Sequence, residues 1–436
     1  MSQIADPDMN NEIEFNNETI ASLPMIKKLQ NLVYLTFLLI GVGLLWPWNN
    51  ILSATLFFQH NIFKETTIYA KIFTSSMMTV STLTSLLYNI YLERRQHSYA
   101  TRVARGLIWQ FVTFILITII CALSGSIWMV SEFLLIMILI SISAISTAWT
   151  QNGIMAIANV YGPEFSQSVM MGQAVAGVLP SVVLLIVSLG KTDDNTNNGS
   201  NKGIYFYFLT TSIVCVSCIL LFYNTKIDEK FNSISNNDRT DTQPAHETQA
   251  VPFRVLYSKL KYLVLSIITT FVVTLIFPVF GANIFVTGLP MSNAQYIPLI
   301  FTMWNLGDLC GRFIANWSMF RDPSFTPYKT FIYSVLRIAF IPFFFYFTIQ
   351  SRTTSDDGQR VHSVILDIEY ILLQFLFGVT NGHIISMSFM KVPESLTTDQ
   401  EKEAAGGFTS IFVSTGLTIG SIISYIFAFM INNITI

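Results

Sequence analysis

The sequence predicts an all-α integral membrane protein of about eleven transmembrane helices in two bundles of six and five. Three observations carry that prediction. Charged residues make up only 11% of the 436 residues and hydrophobic ones 52%, whereas soluble domains carry roughly a quarter charged. About eleven apolar runs are long enough to cross a hydrocarbon core that takes about 20 helical residues. A long polar segment interrupts them after the sixth. The same composition excludes a disordered chain, a coiled coil, a collagen and a secreted disulfide scaffold. A net charge of -2 gives no reason to expect a nucleic-acid partner.

In chain order, residues 1–31 are acidic and Asn-rich and read as a disordered cytoplasmic N-terminus. No cleavable leader is expected, because the first apolar run starts only near Leu32 and is long enough to span. The runs fall at 32–58, 69–92, 107–129, 131–160, 167–189, 204–223, 260–286, 294–317, 328–349, 364–389 and 406–431. Gly or Pro within the 131–160 and 260–286 runs predicts kinks there.

Segment 224–259 reads as a disordered cytoplasmic linker between bundles at 32–223 and 260–436. With the N-terminus inside, sixteen Lys and Arg fall in inside segments and six in outside ones, which is the expected inward bias. An odd number of spans then puts the C-terminus outside the cytosol. The outside 190–203 loop holds a sequon at Asn198, a glycosylation candidate. Cys215 and Cys218 are spaced C-x-x-C inside an apolar run and read as small helix residues, not as a zinc or redox pair.

Polar residues inside the spans are the functional candidates, since each must be paired or face water. In the eighth run, Phe301, Asn305, Asp308 and Arg312 share one helical face. Asp308 and Arg312 can pair along it, either to fix packing or to hold a ligand- or cation-binding carboxylate. Gly307 and Gly311 beside that face form G-x-x-x-G, which admits a close neighbour. In the first run, Pro47 breaks the ladder next to Trp48 and Asn49, and Leu45, Trp48 and Leu52 line one face. They serve either as a stacking and hydrogen-bonding surface or as an interfacial Trp and a cap for freed carbonyls. Gln151, one turn beyond Thr147, suits the edge of a purine or pyrimidine, or a helix–helix hydrogen bond.

Arg337 lies about two turns into its run. It either snorkels to the interface or pairs with Asp308 in a shared network. His383 is a candidate for pH modulation, weighed against a role as a packing histidine. Walker A, H-E-x-x-H and G-x-S-x-G motifs are missing from the sequence, so neither enzyme activity nor a cofactor or metal is expected. No obligate protein partner is inferred, and the lipid bilayer is the expected surrounding.

These residues resemble the equilibrative nucleoside transporter family over most of the chain. The match is carried by P-W-N at Pro47 to Asn49, the Gln151-Asn-Gly step and M-G-Q-A-V-A-G at Met171 to Gly177. It continues with N-L-G-D-L-C-G-R at Asn305 to Arg312, R-I-A-F-I-P-F at Arg337 to Phe343, N-G-H at Asn381 to His383 and the E-A-A-G run before the last span. The resemblance implies a major-facilitator-like fold and facilitated transport of nucleosides, sometimes of nucleobases. It implies that Trp48 and Leu45 line the nucleobase side with Leu52 nearby, and that Gln151 bonds the base edge. Asp308 would take the ribose hydroxyls, oriented by Arg312, with Asn305 adjacent. Trp46 and Thr147 depart from residues common in the family. The Asn-rich stretches point to a fungal or other unicellular eukaryotic member. Two alternatives stay open at this point: a sugar or organic-cation carrier of similar architecture, and proton-coupled nucleoside transport. Plasma membrane and vacuolar or lysosomal membrane fit equally.

Overall fold

The computed structural model describes residues 28, 31–64, 66–124, 128–190, 201–231, 250–317, 320, 324–352 and 363–432. The Asn198 sequon, most of the N-terminal segment and half of the linker, 232–249, lie outside the described residues. The helices are α1 Leu32–Ser53, α2 Ile68–Glu93, α3 Tyr99–Ala122, α4 Met129–Tyr161, α5 Pro163–Gly190 and α6 Asn201–Asn224, followed by α7 Phe253–Thr274 and α8 Phe277–Asn283. Then come α9 Asn293–Ile314, α10 Pro327–Leu336, α11 Phe340–Arg352, α12 Val364–Glu394 and α13 Asp399–Asn432.

Among the described residues, nine helices or helix pairs are long and apolar enough to cross a membrane. Nine of the eleven expected runs coincide with these helices. The other two expected runs are the long helices α2 and α9, whose sequences are diluted by Ser, Thr, Asn and Gln. Large apolar side chains such as Leu87, Ile138, Leu220, Ile365 and Phe429 lie on the outer surface, as a bilayer solvent permits.

Local sequence sets the ends. The Asn31 side chain caps α1 by accepting from the Val33 and Tyr34 amides. In the Tyr161-Gly162-Pro163 turn, Gly162 adopts φ 120°, open to glycine, and Pro163 starts α5, where its missing N–H costs nothing. Ser292 and Gln295 form a capping box at the start of α9.

In the fourth run, where a kink is expected, α4 is one continuous helix of 33 residues, and Gly153 admits the backbone of Tyr99. The ninth run tightens into a 3-10 turn at Arg337–Ala339. Pro342 explains it, since its ring clashes with the carbonyl four residues earlier, at Ile338. The interruption expected in the 260–286 run is present between α7 and α8, with Pro278 in the first turn of α8.

The chain folds as two compact units. The first comprises Met1–Gln173, Asn201–Lys261 and Phe389–Ser414, and the second Ala174–Ser200, Tyr262–Ser388 and Thr415–Ile436. The first has an apolar core that includes Phe58, Phe73, Phe114, Phe133 and Phe208. The second is built around Phe277, Phe280, Phe344, Tyr370 and Phe377.

Candidate functional site

In the second unit, α9 and α12 meet through four glycines. A Cβ on Gly307, Gly311, Gly378 or Gly382 would overlap a backbone oxygen of the facing helix, that of Phe375, Val379, Trp304 and Asp308 respectively. This close approach brings Asn381 against Asp308. Arg312 Nε donates to Asp308 Oδ2 at 2.9 Å, and Asn381 Nδ2 donates to Asp308 Oδ1 at 2.6 Å. Asp308 and Arg312 are 5% and 6% exposed, so the pair is buried. A carboxylate offers about four lone-pair positions, and these two bonds use two of them.

The network runs on. Thr274 Oγ1 lies 2.6 Å from Asn381 Oδ1, and Arg337 Nη1 donates to Thr274 Oγ1 at 3.2 Å. Arg337 also donates to the Thr270 carbonyl at 3.1 Å, the Phe377 carbonyl at 3.4 Å and the Thr380 hydroxyl at 3.2 Å. Its guanidinium sits 4.4 Å from the centre of the Phe377 ring. At 1% exposure, Arg337 does not snorkel to an interface. Nor does it pair directly with Asp308: the expected shared network exists, but two residues stand between the charges. Burying a guanidinium requires this many partners.

Asn305 turns its amide back to the Phe301 carbonyl at 2.9 Å, and a Cβ on Gly177 would lie 2.6 Å from its Oδ1. The His383 ring packs edge-on against Phe320 with centroids 4.3 Å apart, and near Tyr333 at 5.7 Å. Its Nε2 has no hydrogen-bond partner among the described residues. The ring borders a small cavity of about 200 Å³ with Ile314, Phe320, Phe325, Tyr333 and Val379.

The remaining candidates belong to the first unit. Leu45, Trp48, Asn49 and Leu52 lie on α1 and Gln151 on α4. Leu45, Trp48, Asn49 and Gln151 are half-buried, Leu52 is 40% exposed, and Trp48 packs against the first core. Trp46, the departure from the family pattern, has a structural explanation: its Nε1 donates to Thr210 Oγ1 at 3.0 Å. Asn50 beside it ties α1 to the Tyr207 carbonyl at 3.0 Å and to the Thr211 hydroxyl. Cys215 and Cys218 are buried free thiols, and Cys218 Sγ donates to the Leu39 carbonyl at 3.2 Å.

Sequence reasoning does not give Asn381 a place at Asp308 and omits Thr270 and Thr274. The available signal is Arg337, a buried cation whose partners must come from another helix, and two threonines one turn apart on an apolar run.

The nucleoside transporter family profile matches residues 135–239 and 224–429. The chain is 53% identical to the nucleoside transporter FUN26 of Saccharomyces cerevisiae, with 97% of this chain and 89% of that protein covered. It is 20% identical to the human equilibrative nucleoside transporter 1, covering 91% of this chain and 96% of that one. Among solved structures, the proton:xylose symporter XylE of the major facilitator superfamily superposes with a TM-score of 0.63 at 12% identity, over 92% of this chain and 89% of that one. A bacterial homologue of the iron transporter ferroportin gives 0.58 at 11% identity, over 92% and 97%. These two likenesses establish the fold alone, that of a major-facilitator-like helical bundle. The profile and the relative of 53% identity go further: the chain belongs to the nucleoside transporter family.

Proposed function

We propose that the chain carries nucleosides across a membrane down their gradient, by alternating access in a fold of about eleven spans split six and five. The observation that carries this reading is Asp308, a buried carboxylate anchored by Arg312 and Asn381 with acceptor positions to spare, in a chain of this family. Charge-assisted bonds from hydroxyls to a carboxylate are strong and geometrically selective, which suits the two vicinal hydroxyls of ribose. Trp48 and Leu45 take the base side with Leu52 nearby, Asn49 and Gln151 offer hydrogen bonds to the base, and Asn305 stands beside Asp308.

In this reading the bundles are 32–223 and 260–436, the N-terminus is cytoplasmic and the C-terminus extracytoplasmic, in a plasma or vacuolar membrane. Transport needs no coupled ion, since the carboxylate at the centre of the site is held in an ion pair with Arg312. His383 is left to modulate rate with pH. An imposed pH gradient across proteoliposomes holding equal nucleoside on both sides produces no uphill accumulation. Accumulation abolished by an uncoupler would replace this reading with proton coupling.

The test of the substrate class is uptake of radiolabelled uridine and adenosine in cells that lack nucleoside transport, with glucose and choline as controls. Nucleoside uptake above background, with neither control entering, is the expected result. Glucose or choline entry without nucleoside entry would overturn it.

A further inference from the structure

Arg337 can only donate hydrogen bonds and the Asp308 carboxylate can only accept them. Between them stand two groups that can do either, the Thr274 hydroxyl and the Asn381 amide. The two fixed ends dictate the direction of everything between. Arg337 Nη1 donates to Thr274 Oγ1, the Thr274 proton goes to Asn381 Oδ1, and Asn381 Nδ2 donates to Asp308 Oδ1. The Thr274 hydroxyl has a second acceptor in reach, the Thr270 carbonyl at 2.7 Å. Arg337 serves that carbonyl itself at 3.1 Å, which leaves the Thr274 proton for Asn381. Reversing the Asn381 amide would set its oxygen against the carboxylate at 2.6 Å and its NH2 against a hydroxyl already receiving from Arg337.

We propose that Thr274 and Arg337 are positioning residues for the nucleoside site: through Asn381 they fix which lone pairs of Asp308 remain for the substrate hydroxyls. This rests on the reading of Asp308 as the carboxylate that takes the ribose. Neither residue need touch substrate. Thr274 decides the orientation of the amide, and the amide occupies one side of one carboxylate oxygen. Chains of this kind polarise one another in a low-dielectric interior, so removing a middle member is felt at the end. The 3-10 turn at Arg337–Ala339 contributes by setting the guanidinium at the point where α7 and α12 both supply acceptors.

The experiment compares uptake of uridine with that of 2′,3′-dideoxyuridine, normalised to protein at the membrane, in the full-length chain and in Thr274→Val and Thr274→Ser. Valine keeps the shape and removes the hydroxyl, and serine keeps the hydroxyl. Wild type prefers uridine, Thr274→Val lowers that preference at least fivefold while dideoxyuridine uptake stays within twofold, and Thr274→Ser restores it. An unchanged uridine preference in Thr274→Val would overturn the proposal, as would equal losses for both substrates. If Thr274→Val does not reach the membrane, Thr274→Ala carries the same comparison. Failure of both variants to reach it would assign Thr274 to folding and overturn the proposal. Absence of uridine uptake by wild type itself would instead remove the reading on which the inference rests.

Discussion

In the first unit, α1 crosses α5 where Gly41 would place a Cβ on the Val169 carbonyl and Gly172 would place one on the Leu38 carbonyl. In the second, α9 crosses α12 through Gly307, Gly311, Gly378 and Gly382 in the same reciprocal way. What flanks the two crossings differs. Beside the first lie Tyr34, Phe37, Tyr161 and Phe165, whose rings contact one another at centroid distances of 5.1–6.5 Å. Beside the second lie Asp308, Arg312 and Asn381, joined by charge-assisted bonds. Small residues let backbones approach in both places. The first approach closes an apolar core, and the second sets an amide against a carboxylate. Glycines at a crossing therefore bring two backbones together and are silent about the use of that approach; the side chains that flank them decide it.

Five substitutions test this contrast, beginning with the largest effect. Asp308→Ala lowers nucleoside uptake at least tenfold with the protein still at the membrane, because hydrogen bonds to a charged group contribute about 1.5–3 kcal/mol. Wild-type uptake in that variant would remove Asp308 from the site. Next, a methyl at either crossing separates the mechanical role from the chemical one. Gly172→Ala and Gly382→Ala both lower the melting temperature of purified protein. Only Gly382→Ala also lowers uptake per molecule several-fold and reduces the preference for uridine over its dideoxy analogue. A matching loss of preference in Gly172→Ala would erase the distinction between the two crossings.

A smaller effect is expected in the first unit. Gln151→Ala shifts the ratio of purine to pyrimidine nucleoside uptake roughly two- to fivefold, in keeping with one lost neutral hydrogen bond, and changes maximal rate less. Equal losses for every nucleoside would assign Gln151 to packing. The smallest concerns His383, whose ring lies among Phe320 and Tyr333. His383→Phe keeps uptake at neutral pH within about twofold, because one ring packed against Phe320 and Tyr333 replaces another. A tenfold loss at neutral pH would place His383 among the residues essential for transport.

The contrast also shows what a sequence reveals. The face carrying Phe301, Asn305, Asp308 and Arg312 is legible because its spacing is the helical period, and the ion pair forms along one helix. Both pairs of glycines are legible as close-packing positions for the same local reason. The partners of Asp308 and Arg337 across helices are not, because no local period reports which helix faces which. Thr270 and Thr274 read in isolation as residues that bond back to their own helix, and the Thr274 hydroxyl does lie 2.7 Å from the Thr270 carbonyl. Their importance appears only when Arg337 arrives from the ninth run. The 3-10 turn that delivers it is written in Pro342, which forbids a regular helix through Ile338. The first-unit candidates are neutral and half-buried or, for Leu52, exposed, so neither burial nor ion pairing ranks them above their neighbours.

Counterflow in proteoliposomes tests the central claim most directly. Vesicles holding the purified chain are preloaded with unlabelled uridine and diluted into a trace of labelled uridine, with no ion gradient imposed. A carrier that alternates about Asp308 accumulates label transiently above equilibrium. Vesicles holding the same amount of Asp308→Ala show at most a tenth of that overshoot. No overshoot in wild type would contradict a nucleoside carrier, and a full overshoot in Asp308→Ala would contradict a substrate-binding role for the carboxylate.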